Sequence, residues 1–401
     1  MGFQLSPGVN VSEIDLTTVV PSVLTTSGAF AGTFRWGPAN KVVLVDNEIN
    51  LSKTFGTPDS NSAVSFFTAA NFLAYGNNLS VVRAVAINCF NADANTAQTN
   101  VQIANSDVFE NLLLNGDNGN LYGPFMARYP GALGNSISVT VVDTGSNVRS
   151  GLFTDVPGTS DYVANVGGAN DEIHIAVVDA GGLFTGVRNT VLETFPFVSK
   201  ASDAVNLNTG TNNYYKQVIF NTSKYIYAVD PADYANTSGS WGSSAASTTF
   251  DQISGSSASY SLSSGADEVP TDANINIAYS NFANKEVYDI SLVLTGNASN
   301  TVQQHVIDNV ATVRKDCVAF ISPPIDAVVN QSGYESDNIK TWLNGLARSS
   351  SYVVADSGWK YQFDVYNNVY RWIPMNADLA GLCVTTDRKS TRLNSSHTDI
   401  S

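Results

Sequence analysis

The heptapeptide Leu79-Ser80-Val81-Val82-Arg83-Ala84-Val85 decides how the rest of the chain is read. It is almost continuously apolar and lacks the in–out alternation of a half-solvated strand. Such a run suits an inner strand covered on both faces, as in a largely parallel sheet between helices. Two later stretches share that character, VYDISLVLTG (287–296) and DCVAFISPP (316–324). Pro323-Pro324 halts the second. Around these runs the signals alternate. TTSGAFAGTFRWGPANKVVLVDN (25–47) reads as two β segments about the Gly37-Pro38 turn. Residues 60–75 read as a helix, capped by Ser60 or Asn61, with Val64, Phe67 and Leu73 on one side and Gly76 at its end. Further helices are expected from Asn300 or Thr301 to about Lys315, over 336–347, and over 376–384 with Asn376 or Asp378 near the start. SYVVAD (351–356) reads as a strand, and WKYQFDV with VYRWIP as a hairpin over Asn367-Asn368. The expectation is one α/β core assembled from residues 23–88 and 267–387.

Between those halves the character changes. From about 88 to 266, Gly, Asn, Ser and Thr dominate and helical periods vanish. SISVTVVD (136–143), DEIHIAVVD (171–179), and KQVIFNTS with KYIYAVD (216–230) read as strands. Residues 232–266 read as a Ser/Gly-rich flexible return. The scheme is therefore an extended arm (1–22), a linker (89–125), and an inserted mainly-β domain (126–266) interrupting the α/β core. In the arm, Val9, Val11 and Ile14 are punctuated by Pro7, Gly8 and Pro21, and no helical period appears.

Composition narrows the function. With 401 residues the chain holds roughly two to three domains. Only 14% of residues are charged, and Asp+Glu 35 against Lys+Arg 20 gives a net charge of −15. That balance excludes a nucleic-acid binder, which needs a basic face. No apolar run reaches the length of a membrane span. Sparse charge with abundant Asn, Ser, Thr and Gly suggests the neutral β-rich surfaces of assembling shell or fibre proteins. Cys89, Cys317 and Cys383 are scattered and read as buried small hydrophobes in a reducing compartment. MGFQLSPGVN has neither the basic nor the apolar region of a secretory signal.

A search for chemistry finds none. His174 sits in an alternating strand, His305 on a helix face and His397 near the C-terminus, with no partner at metal-ligand spacing. There is no nucleophile elbow, no P-loop and no dinucleotide fingerprint. GDNGN (116–120) lacks the spacing of a calcium loop and reads as a turn. No catalytic, cofactor-binding or metal residue is expected. The aromatic stretch from Trp359 to Trp372 reads as a core hairpin with cation–π support from Lys360 or Arg371, the alternative being a ligand platform. The final residues, DRKSTRLNSSHTDIS, have no periodicity and resemble a translated sequencing adapter. Residues 388–401 are therefore expected to be a non-native tail on a chain cut near Asp387.

Several segments together resemble the contractile tail sheath proteins of T-even-like bacteriophages. They are LSPGVNVSE (5–13), AGTFRWGPA (31–39), TFGTP (54–58), NFLAYGNNLSVVRAV (71–85), YPGALG (129–134), TVQQHVIDNVATVRKDC (301–317) with SPP (322–324), and KYQFDVYNNVYRWIPMNADLAGLCVTTD (360–387). The resemblance implies a structural, non-enzymatic subunit. Its core would be subtilisin-like in topology without protease chemistry, and its β insertion would protrude. Residues 89–125 would be a reduced outer domain. It implies stacked hexameric rings around a tail tube and contraction that drives the tube through the host envelope. The implied partners are other sheath subunits, the tube protein, the baseplate and the tail terminator, with no nucleic acid and no membrane insertion. The implied place is the virion tail, assembled in the bacterial cytoplasm. Arms would add strands to neighbouring subunits, and Leu5, Ser6, Pro7, Gly8, Val9, Val11 and Glu13 are the residues implied for that exchange. A phage adhesin or receptor-binding module, or another virion structural protein, is the alternative.

Overall fold

A computed structural model describes residues 26–95, 100–114, 122–143, 152–230, 239–253, 255 and 257–396. The expected arm, with Leu5 to Glu13, lies outside them, as does the GDNGN turn. The described strands, in chain order, are β1 Gly28–Gly32, β2 Val42–Val45, β3 Leu79–Arg83, β4 Phe125–Ala127, β5 Ile137–Asp143, β6 Glu172–Asp179 and β7 Thr190–Ser199. They continue with β8 Ile226–Ala228, β9 Ser257–Ser261, β10 Leu292–Leu294, β11 Val318–Ile321, β12 Val353–Ala355, β13 Trp359–Asp364 and β14 Val369–Pro374.

The apolar runs meet in one six-stranded sheet, ordered β12-β11-β10-β1-β3-β2. All pairings are parallel except that of β2 with β3. Register aligns Val81, Phe30, Leu294 and Phe320 side by side across four strands. These side chains pack with Phe66 and Phe72 of the helix Ala63–Leu73, and with Ala377, Ala380 and Val384 of the helix that starts at Asn376. Gly28 permits that approach: a Cβ there would stand 2.6 Å from the Phe72 ring. The opposite face carries Ala29, Ala31, Val82, Val293 and Ala319. It is covered by the helix Asp272–Ser280 and the helical run Asn300–Arg314. Small residues on that face and large ones on the other fit two helical layers about one sheet. Each fully buried Phe or Leu contributes about 1.5–3 kcal/mol.

The second sheet is antiparallel, ordered β7-β6-β5-β9. Val139, Val141, Ile173, Ile175 and Val177 pack on the β4–β8 ribbon and on Tyr215 and Ile219 of the helix Tyr215–Thr222. Lys200 and Asp143 form a fully buried ion pair at 2.6 Å. The ammonium also donates to the carbonyls of Asn170 and Asp251 at 2.9 and 3.0 Å, so all three donors are used. The two structural parts meet at Arg83. Its guanidinium, 2% exposed, donates to the carbonyls of Phe34, Gly37 and Pro130 at 2.8, 2.9 and 2.8 Å. Burial lowers its affinity for a proton, while Asp267 nearby opposes that shift. Trp36 crosses the same boundary to pack edge-on against Tyr129 and Phe184.

Several local expectations are corrected. KQVIFNTS is mostly helix, Tyr215–Thr222, because burying Tyr215 and Ile219 one turn apart outweighs its β-branched residues. The first long helix is capped at Ser62, with the Asp59 carboxylate accepting from the amides of Asn61 and Ser62. Glu48–Phe55 is a further helix, capped by the Asn47 side chain accepting from the Asn50 amide. The helical run after 299 is capped by Ser299 and passes through a π-helical segment at Val306–Ala311. Cys89 and Cys317 are buried, but Cys383 is exposed, at the flank of the helix face that buries Ala380 and Val384. That last helix runs to Ser396.

Candidate assembly interface

The hairpin β13–β14 is a two-stranded sheet of its own, with Lys360 opposite Ile373 and Phe363 opposite Tyr370. Asn368, at φ +55°, makes the turn. Asp364 is the interior brace. It accepts from the amides of Tyr366 and Asn367, from the Asn367 side chain at 2.8 Å and from Arg371 Nε at 2.7 Å. Burial alone would push its carboxyl up, but these donors together hold it below the ordinary value.

The inward face is anchored at many points. Ile373 enters the large-residue core. Tyr366 packs edge-on against Phe66 at 5.3 Å and donates to Glu48 Oε1 at 2.9 Å. Asn367 donates to the Pro58 carbonyl and Lys360 to Asp378 at 2.7 Å, while Trp359, at the start of the strand and on its other side, donates through Nε1 to the Pro323 carbonyl at 2.8 Å. The other face is a ladder of aromatic rings. Tyr361 stacks on Tyr370 at 5.1 Å and lies 5.0 Å from Trp372, and Phe363 lies 5.1 Å from Tyr370. Tyr361 and Tyr370 are each 59% exposed, with Phe363 at 40% and Trp372 at 36%. The expected core hairpin is thus half wrong: one face is core and the aromatic face is open. Lys360 and Arg371 serve carboxylates, not rings. Among the described residues neither strand has a second neighbour, so both edges keep outward backbone donors and acceptors. A rigid hairpin with open edges and an exposed apolar ladder can accept an added strand.

The end of the parallel sheet where α/β enzymes place their chemistry is occupied by structural bonds. Asn376, fully buried, donates to the Gly296 carbonyl and to Ser322 Oγ. Ser322 donates to Asp356 at 2.5 Å. Burial raises the Asp356 carboxyl to about 6 against the lowering effect of Ser322 and the Gly358 amide, with Asp378 adding to the rise. His174 is buried in the antiparallel sheet, where its Nδ1 accepts from the Phe197 amide at 3.0 Å and its Nε2 meets the Asp155 carbonyl at 2.9 Å. His305 bonds Ser280 and Asn309. No cluster of His, Cys, Asp or Glu able to hold a metal ion occurs among the described residues.

The hairpin's outer face and edges are the candidate interface, and comparison with known proteins shows what the chain resembles. Residues 28–84 match the family model described as tail sheath protein Gp18 domain III, N-terminal region. The chain is 27% identical to the tail sheath protein of Vibrio phage KVP40, over 96% of its own length and 74% of that protein's. It is also 27% identical to the tail sheath proteins of Enterobacteria phage T4, with 96% and 73% coverage, and Salmonella phage ViI, with 95% and 70%. Two solved sheath tail proteins also align. The one from Listeria innocua has a TM-score of 0.41 and 13% identity, covering 87% of this chain and 68% of that one. The one from Desulfitobacterium hafniense has a TM-score of 0.42 and 11% identity, covering 95% and 62%. Over nearly its whole length the chain is thus similar to the tail sheath proteins of contractile-tailed phages.

Proposed function

We propose that the chain polymerises with itself as stacked hexameric rings around the tail tube, held by strand exchange at β13–β14. The observation that carries this reading is the hairpin, anchored on its inner face and, among the described residues, unpaired at both edges. The arm segment Leu5–Glu13, with Ser6, Pro7, Gly8, Val9 and Val11, supplies the complementary extended strand from a neighbour. Contraction then moves subunits as near-rigid bodies to a wider, shorter stack while the exchanged strands stay bonded and act as hinges. The tube is driven through the host envelope, with the baseplate and tail terminator at the two ends. The subunit is not an enzyme, and assembly occurs in the host cytoplasm.

The same reading assigns residues 23–88 and 267–387 to one subtilisin-like core and 126–266 to a protruding inserted domain, with 89–125 as a linker. It is supported by the chain order, since the antiparallel sheet lies in sequence between β3 and β10, the two neighbours of β1. Electron microscopy of the chain extended by a relative's C-terminal segment tests the exchange. Ordered tubes are expected from it, and their loss on deleting residues 1–20. Tubes that survive the deletion refute strand exchange.

A further inference from the structure

A cleft of about 430 Å³ lies between the two structural parts, and Arg35, Lys53 and Lys224 line it. Its aromatic wall is Trp36, Phe184 and Tyr225, with Phe184 edge-on to both others at 5.0 and 5.2 Å. No carboxylate lines it among the described residues, although the chain has 35 Asp and Glu against 20 Lys and Arg. Lys53 and Lys224 are exposed and form no ion pair among the described residues. Arg35 reaches Asp59 only at 3.9 Å. The two carboxylates that act on Tyr225 from behind the wall are already engaged. Asp179 accepts from Ser136 and from the amides of Leu183, Phe184 and Thr185, and Glu193 accepts from Ser223 and the Lys224 amide. Three cations are therefore gathered against a part-apolar wall on a strongly acidic protein.

We propose that this cleft receives a carboxylate-bearing surface of a second copy of the chain. The inference rests on the sheath reading, in which subunits meet head to tail, so that one patch contacts a different patch on the next copy. Copies carrying −15 each repel at long range, and close packing demands local contacts of opposite sign. Acidic residues are plentiful on the partner, whereas unpaired cations are scarce, so the cation-lined side of the contact is the specific one. The aromatic wall shields the contact from water and strengthens it.

The test mixes light and heavy-isotope full-length chains at low ionic strength and applies a carbodiimide, which joins only a lysine and a carboxylate already in contact. Mixed-isotope peptides joining Lys53 or Lys224 to an Asp or Glu of the other copy are expected. Lys53→Gln with Lys224→Gln should weaken self-association about tenfold at low salt and much less at high salt, with the melting temperature unchanged. A chain that stays monomeric at low salt, cross-links within single copies only, or unaltered association of the double variant overturns the proposal. Deleting residues 1–20 separates the two ideas, because it removes strand exchange and leaves both lysines in place. Cross-links between copies should persist in that variant, and wild-type chains that associate through the arm without any such lysine cross-link refute the cleft alone.

Discussion

Arg83 Nη2 donates to the Pro130 carbonyl at 2.8 Å, joining the end of β3 to the segment that leads into the antiparallel sheet. Two further bonds, to Phe34 and Gly37, leave the guanidinium facing three backbone carbonyls. Asp267, where the chain returns, accepts from the Ala132 amide beside it. One side chain thus ties together three passages of chain. A lysine cannot reproduce this planar fork. Arg83→Lys should leave at least one buried carbonyl unpaired and cost about 2–4 kcal/mol in urea denaturation. A cost below 0.5 kcal/mol would mean that the fork is dispensable.

Lys200→Met should be more damaging. It removes the ammonium that balances the buried Asp143 charge, whose other oxygen accepts from the Ile253 amide. Loss of about 3–5 kcal/mol is expected. Adding Asp143→Leu should recover much of it, because the pair then becomes apolar. Denaturation of the single and double variants measures the recovery, and equal loss in both contradicts the argument.

Asp356 makes a pH-dependent contribution whose sign follows from its raised carboxyl. Its folded value near 6 exceeds the ordinary 3.8, so its share of stability is complete below about 3.8 and is lost as pH rises through 6. Asp356→Asn should flatten the stability profile across that window. An unchanged slope between those limits would assign the titration elsewhere.

Burial depresses His174 below the ordinary 6.5, although bonds to Asp155 and Ile173 oppose the shift. Both ring nitrogens face backbone groups, and the Phe197 amide requires an unprotonated Nδ1. Stability should therefore fall as pH drops below about 6.5, where the unfolded chain takes up a proton that the folded ring refuses. Proton-detected titration of the imidazole checks this, and a midpoint at or above 6.5 contradicts it.

The sheet was legible because Leu79–Val85 and Asp316–Pro324 are apolar runs whose burial on two faces leaves few architectures. The helix Tyr215–Thr222 was not, because Val218, Ile219 and Phe220 mimic a strand and only tertiary packing selects the face bearing Tyr215 and Ile219. The helix Glu48–Phe55 carries only the short signal of Asn47 and Glu48, a cap and a first-turn acid, between two stronger β and helix patterns. The hairpin was read correctly from Asn367-Asn368, but its exposure was not. Alternation alone places Tyr361, Phe363, Tyr370 and Trp372 on one face without saying which face meets solvent. The cleft cations, spread over positions 35, 53 and 224, share no local pattern at all.

The exposed ladder should matter to assembly and little to folding. Tyr361→Ser with Tyr370→Ser removes two rings that are each 59% exposed, so the monomer should lose under about 1 kcal/mol. Polymerisation should require at least about tenfold more protein, since covering such rings is worth about 1.5–3 kcal/mol each when complete. Pelleting across a concentration series measures both wild type and variant, and equal thresholds contradict a role in contact.

The most direct measurement is an electron cryo-microscopy map of the assembled sheath at a resolution that traces backbone. A strand from Leu5–Glu13 of a neighbouring subunit should lie hydrogen-bonded along an edge of β13 or β14. A map in which both edges stay bare, with the arm folded on its own subunit, would contradict it.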